Sequence, residues 1–288
     1  MYASEFNYLR AGSLDDAVGL LQQHPGAKLL AGGHSLIPLM KLRLTTPTVL
    51  VDIGRVAGLT GVTLEGGTVK IGALTTHAAL AASPVVRQHA PALGEAAGLV
   101  GDPAVRNRGT IGGNIAHADP ASDLPTVLTA LGAQIVITGP SGRRTVAADG
   151  FFKGVMTTDL GDQDIVTGVD VPAQSQGQTS AYVKFAHPAS RYAVIGVAAS
   201  LGMAGGSCTS ASVALGGLVP KPVRYGRVER ALVGQAMAVD VVFNAAHEVG
   251  PDLGDDVLGD LYASAEYRRA VASVYVARAV QAAAARAR

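Results

Sequence analysis

The sequence predicts an α+β protein of two domains, and three observations carry that reading. The first fifty residues switch twice between strand-like runs and an apolar pattern of helical period. A polar break, Ala173-Gln174-Ser175-Gln176-Gly177-Gln178, then separates a mixed region from the C-terminal remainder of the chain. Beyond the break, three strand-like runs are succeeded by three helical ones, the segregated order expected of an α+β domain. With 288 residues, the chain has room for two domains of about 100–200 residues each. The break divides it into residues 1–175 and 176–288, and the first part divides again near residue 57.

Each element has a local cause. Phe6, Tyr8 and their neighbours suit a short strand. Ser13 is an N-cap with Asp15 and Asp16 in the first turn, where acidic side chains favour the helix dipole. Leu14, Ala17, Val18 and Leu21 then form one apolar helical face, and Pro25-Gly26 stops the helix. Lys28–Ala31 reads as a strand, Leu36–Arg43 as a short helix and Val49–Ile53 as a strand, giving a β-α-β-α-β unit whose parallel pairing needs helical crossovers. From Leu59 to Pro172 come a strand at Val69-Lys70-Ile71 and helices over Thr76–Ala82 and Pro91–Val100, the latter with proline at its first position. Gln134–Thr138 and Arg144–Val146 flank a Gly139-Pro140-Ser141-Gly142 turn as a hairpin, and Ile165–Val171 alternates like a half-buried strand. The second part holds strands over Ala181–Phe185, Ala193–Met203 and Ala211–Leu218, with a Gly205-Gly206-Ser207 turn. Helices come last, near Val228–Val233, Val239–Val249 and Glu266–Ala285, and no repeat of fixed period is visible.

Composition narrows the function. A net charge of +1 and 16% charged residues give no basic excess for nucleic acid, and 5% aromatics with no Trp give no base-stacking platform. Cys208 is the single cysteine, so this chain can close no internal disulfide and cannot supply the four thiolates an iron–sulfur cluster takes. A buried, structural thiol is the plain reading of it. No metal-ligand cluster, no S-x-x-K or G-x-S-x-G nucleophile and no paired carboxylates stand out, so no catalytic or metal-binding side chain is assigned. The first ten residues lack a secretory pattern, and no stretch approaches the ~20 apolar residues that cross a bilayer. The expectation is a cytoplasmic protein, at most at the inner face of the membrane.

Two glycine pairs carry the candidate chemistry. Ala31-Gly32-Gly33-His34-Ser35 lies between a strand and a helix, where glycines let backbone approach a ligand and a helix start offers unpaired N–H groups to phosphate. It lacks the G-x-G-x-x-G spacing, and an ordinary tight turn accounts for it equally. Thr110-Ile111-Gly112-Gly113-Asn114 suggests a second backbone concavity. Downstream, Asp123 precedes an apolar helix through Leu131, as its N-cap or as an acceptor for a ligand hydroxyl. Two such loops about eighty residues apart could hold the halves of a dinucleotide.

At these residues the sequence resembles a known family. Ala31 through Arg43, in the order AGGHSLIPLMKLR, is similar to the first FAD signature of the medium subunits of carbon monoxide dehydrogenase-type molybdenum hydroxylases, the xanthine oxidase family. Thr110-Ile111-Gly112-Gly113-Asn114, continuing to Asp119-Pro120 and Asp123, is similar to the second. The resemblance extends to Lys221-Pro222-Val223-Arg224 and Ser264-Ala265-Glu266-Tyr267-Arg268-Arg269. It implies an FAD-binding fold of the PCMH or vanillyl-alcohol-oxidase type, made of two α+β subdomains. A C-terminal domain of a three-stranded antiparallel sheet and a helix bundle would come after it. The resemblance implies non-covalent FAD, with Ala31, Gly32, Gly33, His34 and Ser35 around the pyrophosphate, Thr110, Gly113 and Asn114 further along, and Asp123 accepting from a hydroxyl. Val100 and Val166 match apolar contact positions, Lys184 a basic contact, and Tyr192 a residue near the isoalloxazine. Read from the residues alone, both valines could be core, Lys184 a solvated strand lysine and Tyr192 a surface aromatic. His34 is expected to act through its backbone and His117 to be a neighbour of the loop.

The resemblance further implies an electron-transfer subunit. A large subunit would carry the molybdenum cofactor and oxidise the substrate, a small one would carry [2Fe-2S] clusters, and FAD on this chain would pass electrons to a quinone, NAD or oxygen. The assembly would be a dimer of such heterotrimers, a heterohexamer. Two rival readings remain, a stand-alone FAD-dependent reductase of the same fold group and a flavin-binding assembly subunit without an electron-transfer role.

Overall fold

The computed structural model describes residues 2–287. Its first unit runs β1 (Asn7–Arg10), α1 (Leu14–Gln23), β2 (Lys28–Leu30), α2 (Leu36–Lys41) and β3 (Val49–Asp52). The strands form a parallel sheet in the order β1-β3-β2, as the crossover argument expects. Ser13 caps α1 by accepting from the Asp16 N–H, and Ala17, Val18 and Leu21 bury its apolar face against Val49, Val51 and Ile53. α2 ends two residues earlier than expected, because Arg43 takes a left-handed φ of 59°.

The second unit begins with β4 (Val62–Glu65) and β5 (Thr68–Gly72) and continues through six helices. These are α3 (His77–Ala82), α4 (Pro84–His89), α5 (Pro91–Leu99), α6 (Pro103–Arg108), α7 (Ile111–His117) and α8 (Asp123–Ala130). Next come β6 (Gln134–Gly139), β7 (Gly142–Ala147), α9 (Ala148–Phe151), β8 (Phe152–Gly154), β9 (Thr157–Thr158) and β10 (Ile165–Pro172). A five-stranded sheet has the order β4-β5-β10-β6-β7, with β10 central and antiparallel to both neighbours. Leu93 and Ala97 of α5, Leu124 and Leu128 of α8, and Ile135 and Val169 of the sheet share one core. The expected hairpin is β6–β7. α4 and α6 are absent from the sequence expectation; both start on a side-chain cap, Ser83 or Asp102, succeeded by proline.

The third unit runs β11 (Gln178–Ala186), β12 (Ala193–Ala204), β13 (Ser207–Gly216), β14 (Val223–Arg224), α10 (Gly226–Leu232), α11 (Val239–His247), α12 (Val249–Asp252) and α13 (Ala265–Ala285). The three long strands form the expected antiparallel sheet, and the two-residue β14 adds a fourth to it. α13 packs on β11 and β12 over a second core including Val197, Leu215, Val276 and Val280. The buried Arg268 guanidinium ties helix to sheet, donating to the Gly217 carbonyl at 2.7 Å, the Val194 carbonyl at 3.1 Å and Asp260 at 2.5 Å. The polar break at 173–178 is fastened at its start, where the Ala173 N–H donates to the Gly67 carbonyl and that of Gln174 to the His89 carbonyl. β11 docks on α5 through Ser180 Oγ, which accepts from the Ala92 N–H, and Glu95, which accepts from the Tyr182 N–H at 2.9 Å.

Candidate functional site

The first glycine loop is built to leave backbone donors free. Gly33 turns the chain with a φ of 74°, a conformation other residues rarely adopt. Ser35 stands at the N-cap of α2 in helical geometry and makes no side-chain cap. Among the described residues, the N–H groups of Gly32 through Leu36 donate to no protein acceptor. The half-buried loop presents its donors where α2 begins. His34 is exposed, its Nδ1 2.9 Å from the Gly32 carbonyl, and it caps none of these donors.

The second glycine pair differs from its expectation. Residues 111–117 are helix α7, so Gly112 and Gly113 occupy a first helical turn and form no second concavity. Every N–H of that turn is taken. Ile111 donates to the Thr75 carbonyl, Gly112 to that of Ala73 at 2.8 Å, Asn114 to that of Thr110, and Gly113 to the Thr110 hydroxyl at 3.2 Å. The glycines serve close approach instead. A Cβ on Gly112 would stand 2.6 Å from the Ala73 Cβ, whereas Gly113 is exposed and its Cβ would stand 3.0 Å from the Thr110 hydroxyl oxygen and 4.0 Å from the Ala31 Cβ. The two motifs also touch at Gly32, where a Cβ would lie 2.1 Å from the Arg108 carbonyl oxygen. Beneath them is His77, buried against Gly109, its Nδ1 unpartnered. Burial lowers its pKa to about 4, with Arg106 and His34 adding to the effect, so it is neutral at pH 7.

A second group of residues meets around Asp123. Ser122 occupies the N-cap position of α8, and Asp123 is the first helical residue, which corrects the capping assignment. Ser122 donates to Asn114 Oδ1 at 2.9 Å and so joins the two motif regions. The Asp123 carboxylate is 3% exposed as a residue and is gripped from β11: Tyr182 donates to Oδ1 at 2.6 Å and Lys184 Nζ to Oδ2 at 2.8 Å. Burial pushes the carboxyl pKa up, while Lys184 and Tyr182 pull it back. Lys184, whose side chain is buried, also reaches the Leu99 carbonyl at the end of α5. Val100 is the C-cap of α5, half-buried, its carbonyl held by Arg106. Tyr192 lies on the β11–β12 connection, 43% exposed, and burial with Asp119 and Asp123 nearby raises its phenol pKa. Val166 is buried in β10, the strand on which α7 packs. His117 is half-buried at the end of α7.

The structure thus brings Ala31–Ser35 against Thr110–Asn114, and gathers Val100, Asp123, Lys184 and Tyr192 beyond Ser122. The sequence alone does not mark Arg108, Ser122, His77 or Tyr182. For Tyr182 a signal exists, since residues i and i+2 of a strand share a face and Lys184 is a candidate contact. Among the described residues, no group of three or more His, Cys, Asp or Glu side chains could hold a metal ion, and no helix is long and apolar enough to cross a membrane.

Five free backbone donors beside an exposed glycine fit the oxygens of a diphosphate. Residues 4–174 match the FAD binding domain in molybdopterin dehydrogenase, and residues 180–283 match the CO dehydrogenase flavoprotein C-terminal domain. The chain is 42% identical to the carbon monoxide dehydrogenase medium chain of Hydrogenophaga pseudoflava, over 99% of both chains. It is 39% identical to the glyceraldehyde dehydrogenase medium chain of Sulfolobus acidocaldarius, over 97% of this chain and 98% of that one. The solved carbon monoxide dehydrogenase of H. pseudoflava superposes with a TM-score of 0.95, covering 99% of both chains. The chain belongs to the family of FAD-binding medium subunits of molybdenum hydroxylase-type dehydrogenases.

Proposed function

We propose that this chain holds one FAD non-covalently and relays electrons from an iron–sulfur subunit to an external acceptor. The observation that carries this is the row of unpartnered N–H groups from Gly32 to Leu36, set against α7 in a chain of this family. These donors, with Ala31, His34 and Ser35, would take the pyrophosphate, and Gly113 would leave room for it beside Thr110 and Asn114. Asp123, fixed by Lys184, would accept from a hydroxyl. Val100 and Val166 would supply apolar contact, and Tyr192 would lie beside the ring system. When bound, FAD supplies the exchange between single electrons and electron pairs, while the protein contributes position and electrostatics.

The proposed assembly has a large molybdenum-cofactor subunit and a small [2Fe-2S] subunit, doubled by two-fold symmetry, in the cytoplasm. Its acceptor is a quinone, NAD or oxygen. The carbon monoxide and glyceraldehyde relatives are named for different substrates, and on this reading substrate specificity belongs to the large subunit. The test is anaerobic reduction of the FAD-loaded chain. Its yellow colour should bleach when the reduced iron–sulfur subunit is added, and should persist with the complex's substrate alone. Bleaching by substrate without the other subunits would favour the stand-alone reductase.

A further inference from the structure

The grip on Asp123 comes from two unlike side chains. β11 alternates, so Tyr182 and Lys184 leave the sheet on one face and meet the carboxylate from the same side. Lys184 is a compact charge on a flexible stem with rotatable donors, which attracts a carboxylate without fixing its rotation. Tyr182 is a rigid ring, 5% exposed, whose single donor points at Oδ1 from 2.6 Å. The neighbouring strand makes way for that hydroxyl. A Cβ at Gly196 on β12 would stand 2.3 Å from the Tyr182 oxygen. Burial and the adjacent carboxylate hold the phenol well above its ordinary pKa, so it acts as a donor. A carboxylate offers about four lone pairs. Tyr182 and Lys184 occupy one on each oxygen.

We propose that Tyr182 is a positioning residue for the cofactor: its hydroxyl sets the rotation of the Asp123 carboxylate, so that Asp123 meets a hydroxyl of FAD in a single orientation. Gly196 belongs to the same device, as the position that keeps space for the phenol. This rests on the proposed FAD site and goes beyond it, because it assigns a function to a residue that need not touch FAD.

The test is a double-mutant cycle on FAD affinity in the full chain, with Tyr182→Phe, Asp123→Ala and both together. A hydrogen bond to a charged group contributes enough that Tyr182→Phe should weaken FAD binding by about tenfold to a hundredfold. In the Asp123→Ala background the same change should add less than about twofold, since the group it acts through is gone. Gly196→Ala should weaken FAD as Tyr182→Phe does, by crowding the hydroxyl from its place. Thermal melts of the cofactor-free variants report folding separately. A merely structural tyrosine would weaken FAD by the same factor in both backgrounds, and that result overturns the proposal. Unchanged affinity in Tyr182→Phe overturns it as well. A wild-type chain that binds no FAD would instead overturn the functional reading beneath it.

Discussion

Gly32→Ala should cost this chain its FAD while leaving most of the fold standing. The added Cβ would lie 2.1 Å from the Arg108 carbonyl oxygen, 2.9 Å from its carbon and 3.0 Å from the Gly109 Cα. All three are backbone atoms and cannot swing aside, so the loop and the segment leading into α7 must part. Overpacking of this kind costs about 1–3 kcal/mol, and the separation falls between the two motifs that would hold the dinucleotide. FAD affinity should drop by about tenfold to a hundredfold or more. A control isolates the steric effect. Gly26 has a φ of 83° and nothing within 4 Å of its would-be Cβ, so Gly26→Ala adds backbone strain alone and should keep FAD. Flavin-to-protein ratios after gel filtration measure both variants.

Asp123→Ala should produce the largest loss of stability among single changes at the site. It leaves the Lys184 ammonium, with 2% of its side chain exposed, without its counter-charge, and the Tyr182 hydroxyl without its acceptor. Removing one partner of a buried pair costs about 3–5 kcal/mol. At about 2–4 °C per kcal/mol for a chain of this size class, the melting temperature should fall by roughly 10 °C. Adding Lys184→Met removes the stranded charge and should restore much of the stability, without restoring FAD. Thermal unfolding read alongside flavin content separates the two effects. A melting temperature that hardly moves in Asp123→Ala would mean the pair is not the clamp described.

Much of this fold is legible in the chain because local signals agree with the global structure. Ser13 with the face Ala17, Val18 and Leu21 announces α1, and alternating runs announce β10 and the three long strands of the last sheet. α4 and α6 go unread although each opens on a capping side chain and a proline, Ser83-Pro84 and Asp102-Pro103. α7 is hidden for a physical reason. Adjacent glycines disfavour a helix, and this one is held by the Thr110 cap and the carbonyls of Ala73 and Thr75, which only the tertiary fold supplies. Ser122 and Asp123 are both good capping residues, so sequence cannot decide between them, and the boundary shifts by one. That one residue changes the meaning of Asp123, whose burial depends on β11, about sixty positions away.

Native purification of the chain from its source, with subunit, flavin and metal analysis of the same fraction, tests directly whether it acts as an electron-transfer subunit. A stable complex of this chain with a small iron–sulfur subunit and a large molybdenum subunit is the expected result. It should contain one FAD per copy of this chain, and acid should release that FAD. A chain that elutes alone, without iron or molybdenum, and still turns over a physiological substrate at a useful rate would contradict it.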